Sequence, residues 1–304
     1  ESPPSDLLVA AAARAPGAMG SYWTTEMTLV NAGDRPASAA LELLPSPITD
    51  PAVLDSALAP GEALVLDDVI GTLVGDSGAG ALHLRSTQPS AVTTRIATTA
   101  DGGGTYGQGI PAMEMTRVAS DGEAVRLFGF SHDARFRTNL GLVNPGTEEV
   151  ALKLGVYDDE TNKLAESHRT VGASSWIQLN RFLEDQGVAA DAGVIVVRQT
   201  SKAGAFTAYA SVVDERTGDP TYLGETAIGR VGDDLWILHG GKANTANPDA
   251  LKQLPLQASA LDPATGNAMI ATAGLAARKY KIKRSEVDEL TLCRYEQYFN
   301  AKES

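Results

Sequence analysis

Trp23-Thr-Thr-Glu-Met-Thr-Leu-Val-Asn31 and Phe136-Arg-Thr-Asn-Leu-Gly-Leu-Val-Asn144 decide how this chain of 304 residues is read. An aromatic residue opens each stretch, Leu-Val-Asn closes both, and 113 positions separate them. The same offset carries Gly80-Ala-Leu-His-Leu-Arg85 onto Gly193-Val-Ile-Val-Val-Arg198. Pro60-Gly-Glu-Ala-Leu-Val-Leu66 meets Val171-Gly-Ala-Ser-Ser-Trp-Ile-Gln-Leu179 after a two-residue shift, and near the ends Gly104-Thr-Tyr106 answers Pro220-Thr-Tyr222. Landmarks kept in one order predict an internal duplication of a domain of about 100 residues.

Outward from these anchors the signal is strand. Met27–Val30, Ala39–Leu44, Ala63–Leu66, Ala81–Arg85 and Ala91–Ile96 are short, partly alternating runs punctuated by Asn-Ala-Gly-Asp, Pro-Ser-Pro and Ala-Pro-Gly-Glu. The second copy offers Leu140–Val143, Val150–Tyr157, Trp176–Leu179, Val194–Arg198 and Ala205–Val213. Short strands with regularly recurring turns predict an antiparallel β-sandwich in each copy. One short helix per copy is expected, at Leu66–Leu73 and Leu179–Asp185, each with an Asp or Asn placed to cap it. The fold class is therefore mainly β. Two tandem antiparallel sandwiches, 1–118 and 119–228, precede a loop-rich, partly helical tail, 229–304.

The order Trp-x-Thr, Leu-Val-Asn, Pro-Gly-Glu, Gly-Ala-Leu, Gly-Gly-Thr-Tyr-Gly resembles tandem β-sandwich modules of secreted and surface bacterial proteins, over residues 8–224. That resemblance implies a fold and an extracellular, cell-surface or periplasmic location, and brings no catalytic residue. The tail carries a second one. Thr272-Ala-Gly-Leu-Ala-Ala-Arg-Lys-Tyr-Lys-Ile-Lys-Arg-Ser-Glu-Val-Asp-Glu-Leu290 looks like a segment of the thiolase loop domain, although Gly274 replaces the acidic residue that follows Thr-Ala there. Ser285 suits an N-cap, with Asp288 at the box position.

Charge separates body from tail. The formal net charge of −13 combines −15 over residues 1–234, which hold only three lysines, with +2 over the last 70. An acidic body is a poor partner for nucleic acid, and no apolar run is long enough to form a transmembrane helix. The single cysteine, Cys293, excludes an intramolecular disulfide and a cysteine-based zinc site. The start, Glu1-Ser-Pro-Pro-Ser-Asp6, lacks a basic leader region and reads as a mature terminus left by processing.

Motifs that suggest chemistry have plainer readings. Gly102-Gly-Gly-Thr-Tyr-Gly107 matches a dinucleotide fingerprint in letters, but Gln-Gly-Ile-Pro111 follows where a helix must open, so a hairpin is expected. Ser131-His132-Asp133 are adjacent, whereas a hydrolytic triad needs side chains converging from separate segments. The four histidines are scattered, and the acidic turns Asp158–Asn162 and Asp214–Asp219 lack EF-hand spacing. Asn31 and Asn144 suit Asx-type turns. Arg85 and Arg198 end corresponding strands and are expected to pair with acids or cover a sheet edge.

No cofactor, metal or catalytic residue is assigned. Trp23, Tyr106, Trp176 and Tyr222 are the candidate ligand-facing aromatics. Arg278, Lys279, Lys281, Lys283 and Arg284 are the candidate anion contacts. The expected function is a non-enzymatic exported structural or adhesive protein, or an accessory subunit, whose partners are other proteins or surface polymers. A catalytically incomplete piece of an acyl-CoA thiolase fold and a carbohydrate-binding module are the alternatives.

Overall fold

The computed structural model describes residues 3–44, 52–100, 103–120, 122–158, 162–188, 190, 192–225, 230–231 and 234–235. The chain divides into two units, Glu1–Ala227 with His239–Lys242, and Ile228–Leu238 with Ala243–Ser304. The first unit is mainly β, in antiparallel sheets.

Its opening half runs β1 (Ser5–Pro16), β2 (Tyr22–Asn31), β3 (Ala37–Leu44), β4 (Val53–Leu58), β5 (Ala63–Leu66), α1 (Val69–Val74), β6 (Gly78–Ser86), β7 (Ser90–Thr99), β8 (Thr105–Gly109) and β9 (Ala112–Glu114). A short β10 (Ala119–Ser120) leads into the rest: β11 (Ala124–Phe128), β12 (Phe136–Asn144), β13 (Val150–Asp158), β14 (Lys163–Val171), β15 (Ser175–Leu179), α2 (Phe182–Asp185), β16 (Gly193–Gln199), β17 (Ala205–Asp214) and β18 (Pro220–Leu223). In the opening half one layer is ordered β4-β3-β6-β1, and in the later half β14-β13-β16-β11. The facing layers are β5-β2-β7-β8 and β15-β12-β17-β18. In the opening half the two layers are joined where Ala15 and Pro16 of β1 pair with Trp23 and Tyr22 of β2.

Alternation places the cores. Leu41 and Leu43 of β3, Leu82 and Leu84 of β6, and Met27 and Leu29 of β2 point into one buried cluster. Leu152, Leu154 and Val156 of β13, Ile195 and Val197 of β16, and Leu140 and Leu142 of β12 fill the other. Strands whose alternate residues are buried on one face form such layers, because one wall needs the other to leave water.

The expected strands are present within β2, β3, β5, β6 and β7 and within β12, β13, β15, β16 and β17. Strand β1 was not foreseen. Its Leu7-Leu8-Val9-Ala10-Ala11-Ala12 run, rich in alanine, is buried along its whole length, which removes the alternation by which strands are recognised. Helix α1 is capped as expected, Asp68 Oδ1 accepting from Gly71 N–H at 2.8 Å. At α2 the expected cap fails. Arg181 takes the N-cap position with φ 51° and donates its N–H to Asn139 Oδ1 at 2.9 Å, while Asn180 Oδ1 accepts from Gln178.

Asn31 and Asn144 are fully buried at the ends of β2 and β12. Asn31 Oδ1 accepts from Gly33 N–H at 3.0 Å, and its Nδ2 donates to the carbonyls of Arg35 at 2.8 Å and Leu58 at 3.1 Å. Asn144 Oδ1 accepts from Gly146 N–H at 3.0 Å, and its Nδ2 donates to Glu148 at 2.7 Å, Val171 at 3.1 Å and Gly172 at 2.8 Å. Each asparagine thus ties a turn to the strand-end loop beside it.

In the second unit the described residues are β19 (Arg230–Val231) and β20 (Asp234–Leu235), an antiparallel pair inside a segment expected to be loop. The remaining tail expectations, including the helices, the thiolase-like stretch and the candidate anion contacts Arg278, Lys279, Lys281, Lys283 and Arg284, lie outside the described residues.

Candidate functional site

The outward face of sheet β15-β12-β17-β18 is not a plain solvated face. Period-two alternation puts Arg137, Asn139, Gly141 and Val143 of β12 on that face. Their cross-strand neighbours there are Val213, Ser211 and Tyr209 of β17, and Gln178 and Trp176 of β15. Val143 and Tyr209 are buried in the core cluster of the opening half, with Trp176 and Tyr222 packed against it. The face is a third packing layer where it touches the opening half and a cleft wall where it does not.

Tyr209 organises this contact. Its ring lies over Gly141, the one residue type that leaves room, since an added Cβ would run into the ring carbons. It stacks on Tyr222, ring centroids 5.6 Å apart, and its hydroxyl donates to Gln178 Oε1 at 2.9 Å. Burial pushes both phenols above the ordinary tyrosine range, and for Tyr209 the Trp176 indole beside it opposes the shift. Ser211 Oγ donates to Gln108 Oε1 of β8 at 3.1 Å, crossing between the halves.

Beside this contact opens a cleft of about 600 Å³. One wall is Ala11–Ala13 and Ala15 of β1 with Trp23, Ile96 and Gln108; the other carries Arg137, Asn139, Trp176, Gln178, Asn180, Arg181 and Ser211. Gly17 lies against the Trp23 indole, where any side chain would collide. The two guanidinium groups share one carboxylate. Arg137 Nη1 reaches Glu215 Oε2 at 2.8 Å and Arg181 Nη2 reaches Oε1 at 2.9 Å, while Arg181 Nη1 also meets Glu184 at 3.0 Å. Those acids hold the Arg181 pKa above its ordinary value.

Of the four candidate aromatics, Trp23 and Trp176 both line this cleft. Tyr106 meets Trp23 edge-on, centroids 5.6 Å apart at 88°. Tyr222 packs on Tyr209 outside the cleft lining. The amides Gln108, Asn139, Gln178 and Asn180 were not singled out from sequence. The legible signal was the alternation Arg137-x-Asn139 and Trp176-x-Gln178-x-Asn180, polar and aromatic together on one strand face.

The remaining motifs resolve as structural contacts. Thr105 and Tyr106 open β8 of a β7–β8 hairpin, before which Ala100 N–H donates to Gly104 O at 2.6 Å. Asp133 accepts the N–H groups of Arg135 and Phe136 at 2.6 and 2.7 Å, which lowers its pKa. Its neighbour His132 bridges to Ala190 through backbone. Asp158 accepts from Asn162, and Asp214 accepts from Arg216 N–H and from Arg135. His83 Nε2 lies 2.6 Å from Asp6 Oδ1. Arg85 pairs with Glu42 at 2.8 Å, whereas Arg198 donates to the Gly122 carbonyl at 2.9 Å. A shallower groove lined by Asp6, Asp55 and Arg85 crosses the outer layer of the opening half; its Asp6 and Arg85 are engaged in these pairs.

Among the described residues no group of three His, Cys, Asp or Glu side chains is placed to hold a metal ion, and no helix is long and apolar enough to cross a membrane. No protein-family model matches the chain, and no curated protein matches it.

Proposed function

We propose that this chain is a non-enzymatic exported protein of structural or adhesive type, or an accessory subunit. It works at the cell surface, outside the cell or in the periplasm, through two β-sandwiches that arose by internal duplication. Its partners are other proteins or surface polymers, and its acidic body keeps it from nucleic acid. The observation that carries the reading is the twin asparagine: Asn31 and Asn144 stand at the same offset as Gly80–Arg85 and Gly193–Arg198 and hold matching backbone groups. What the two halves share is scaffold. The matching strand orders of the two halves support the duplication. The way the second half presents Tyr209, Val143 and Trp176 to the first supports a rigid pair of modules displayed together.

The test is co-sedimentation of the purified chain with intact bacteria and with isolated cell-wall polymer, run beside an assay for thiolysis of acetoacetyl-CoA. Retention on cells or polymer without turnover is the expected result. Thiolysis overturns the non-enzymatic reading, and failure to sediment with any surface overturns the adhesive one.

A further inference from the structure

We propose that the cleft between the two halves is a binding site for a short neutral oligosaccharide. The proposal deepens the adhesive reading and rests on it, since it names the polymer chemistry such a protein would hold.

Four observations lead there. The cleft brings one indole from each half, Trp23 and Trp176, to a space of about 600 Å³, within the usual range for a ligand cavity. An indole is a flat apolar wall with a negative face, the complement of the C–H face of a pyranose ring. Second, amide donors line the same space with capacity to spare. Gln108 and Asn139 each use the side-chain oxygen on a protein partner, as does Asn180. Their NH2 groups make no hydrogen bond among the described residues, and such groups match sugar hydroxyls, which donate and accept at once.

The third is charge. Glu215 bridges Arg137 and Arg181, and Glu184 takes the remaining edge of Arg181, so an anionic ligand would have to compete with carboxylates already in place. A neutral ligand meets no such competition. The fourth is that the central strands of both walls offer no free edge to an extended peptide. β12 is paired on both sides, by β15 and β17, and β17 is paired by β12 and β18. On the opposite wall Ala12 and Ala13 pair with β6, and Ala15 with β2. Across the middle of either wall an added strand finds the backbone groups taken, and the unpaired edges among the described residues are the outer sides of β8, β15 and β18 at the rim.

Trp23 and Trp176 serve as reporters. The intrinsic fluorescence of the full chain is titrated with short cello-, chito-, manno-, xylo- and malto-oligosaccharides, with polygalacturonate and an extended peptide as comparators. At least one neutral series saturates the signal. Asn180→Ala, at an exposed position, and Asn139→Ala each weaken that binding about three- to tenfold, the loss expected for one hydrogen bond. Trp176→Phe removes most of the spectral change, with the melting temperature of every variant measured alongside. The proposal is overturned if no neutral sugar binds, if Asn180→Ala and Asn139→Ala both leave affinity unchanged, or if the polyanion or the peptide saturates the signal instead. Sedimentation with cells in the absence of any oligosaccharide binding overturns the cleft alone and leaves the adhesive reading standing.

Discussion

Asn31 and Asn144 hold equivalent backbone groups from two places in the chain, each accepting from the N–H two residues on and donating to the carbonyls four and twenty-seven residues on. Both side chains are fully buried. Truncation to alanine therefore leaves an N–H and at least two carbonyls without partners, and a buried unsatisfied group costs about 1–3 kcal/mol. Asn31→Ala and Asn144→Ala should each destabilise the first unit by roughly 2–4 kcal/mol in urea titrations. Aspartate should be worse at neutral pH, because a carboxylate cannot donate to the Arg35, Leu58, Glu148 or Val171 carbonyls and adds a buried charge. Part of that loss should return in mild acid, where the carboxyl proton restores one donor. A difference of several kcal/mol between the two alanine variants would show that the sites are not equivalent.

Strand identity and the asparagine turns were readable because alternation and turn residues act locally, over four to nine positions. Two things were not. Strand β1 is buried along Leu7–Ala12, so no polar residue marks its period. The cleft depends on which outward face meets which half, a long-range choice that residues such as Arg137, Asn139 and Gln178 do not announce. On an isolated strand they read as an ordinary solvated face. Trp23 and Trp176 were conspicuous as aromatics, yet nothing in their local sequence tells that they line one space.

Gly141 and Tyr209 are cross-strand neighbours whose fit leaves no room for a methyl group. Where β12 and β17 set Gly141 opposite Tyr209, β2 and β7 of the opening half set Thr28 opposite Thr93, with neither a glycine nor a ring. Gly141→Ala drives a methyl group into the Tyr209 ring and should cost about 1–3 kcal/mol, the usual range for overpacking. Tyr209→Ala alone should cost about 3–5 kcal/mol. Because the methyl would then enter vacated space, the double variant should lose clearly less than the sum of the two. Strict additivity in that cycle would mean the ring is not what Gly141 accommodates.

Tyr209 and Tyr222 make the junction sensitive to alkali. Both phenols have folded pKa values raised by burial, so the folded state holds their protons more tightly than the unfolded chain does. Their stabilising effect is complete below the ordinary phenol pKa of about 10 and is lost as pH climbs from there toward the folded values. Denaturation midpoints should stay level in this respect up to about pH 9 and fall above about pH 10. Tyr209→Phe should flatten the fall while lowering stability near neutrality through the lost bond to Gln178. An unchanged alkaline slope in Tyr209→Phe and Tyr222→Phe together would assign the fall to other groups.

Glu215 sets the electrostatic character of the cleft, since its two oxygens are divided between Arg137 and Arg181 at 2.8 and 2.9 Å. Glu215→Gln keeps the shape and an oxygen acceptor but removes the charge, leaving two guanidinium groups with only Glu184 opposite Arg181. The pairs are partly exposed, so the direct stability cost should stay within about 1 kcal/mol. The larger change is in selectivity. Sulfate or a short uronic-acid oligomer should bind the variant measurably at low ionic strength, with affinity falling steeply as salt rises. Neutral sugars should lose little, because their partners are the indoles and amides. If the variant gains no anion affinity, Glu215 is not what holds the cleft near neutrality, and the preference for an uncharged ligand loses its electrostatic basis.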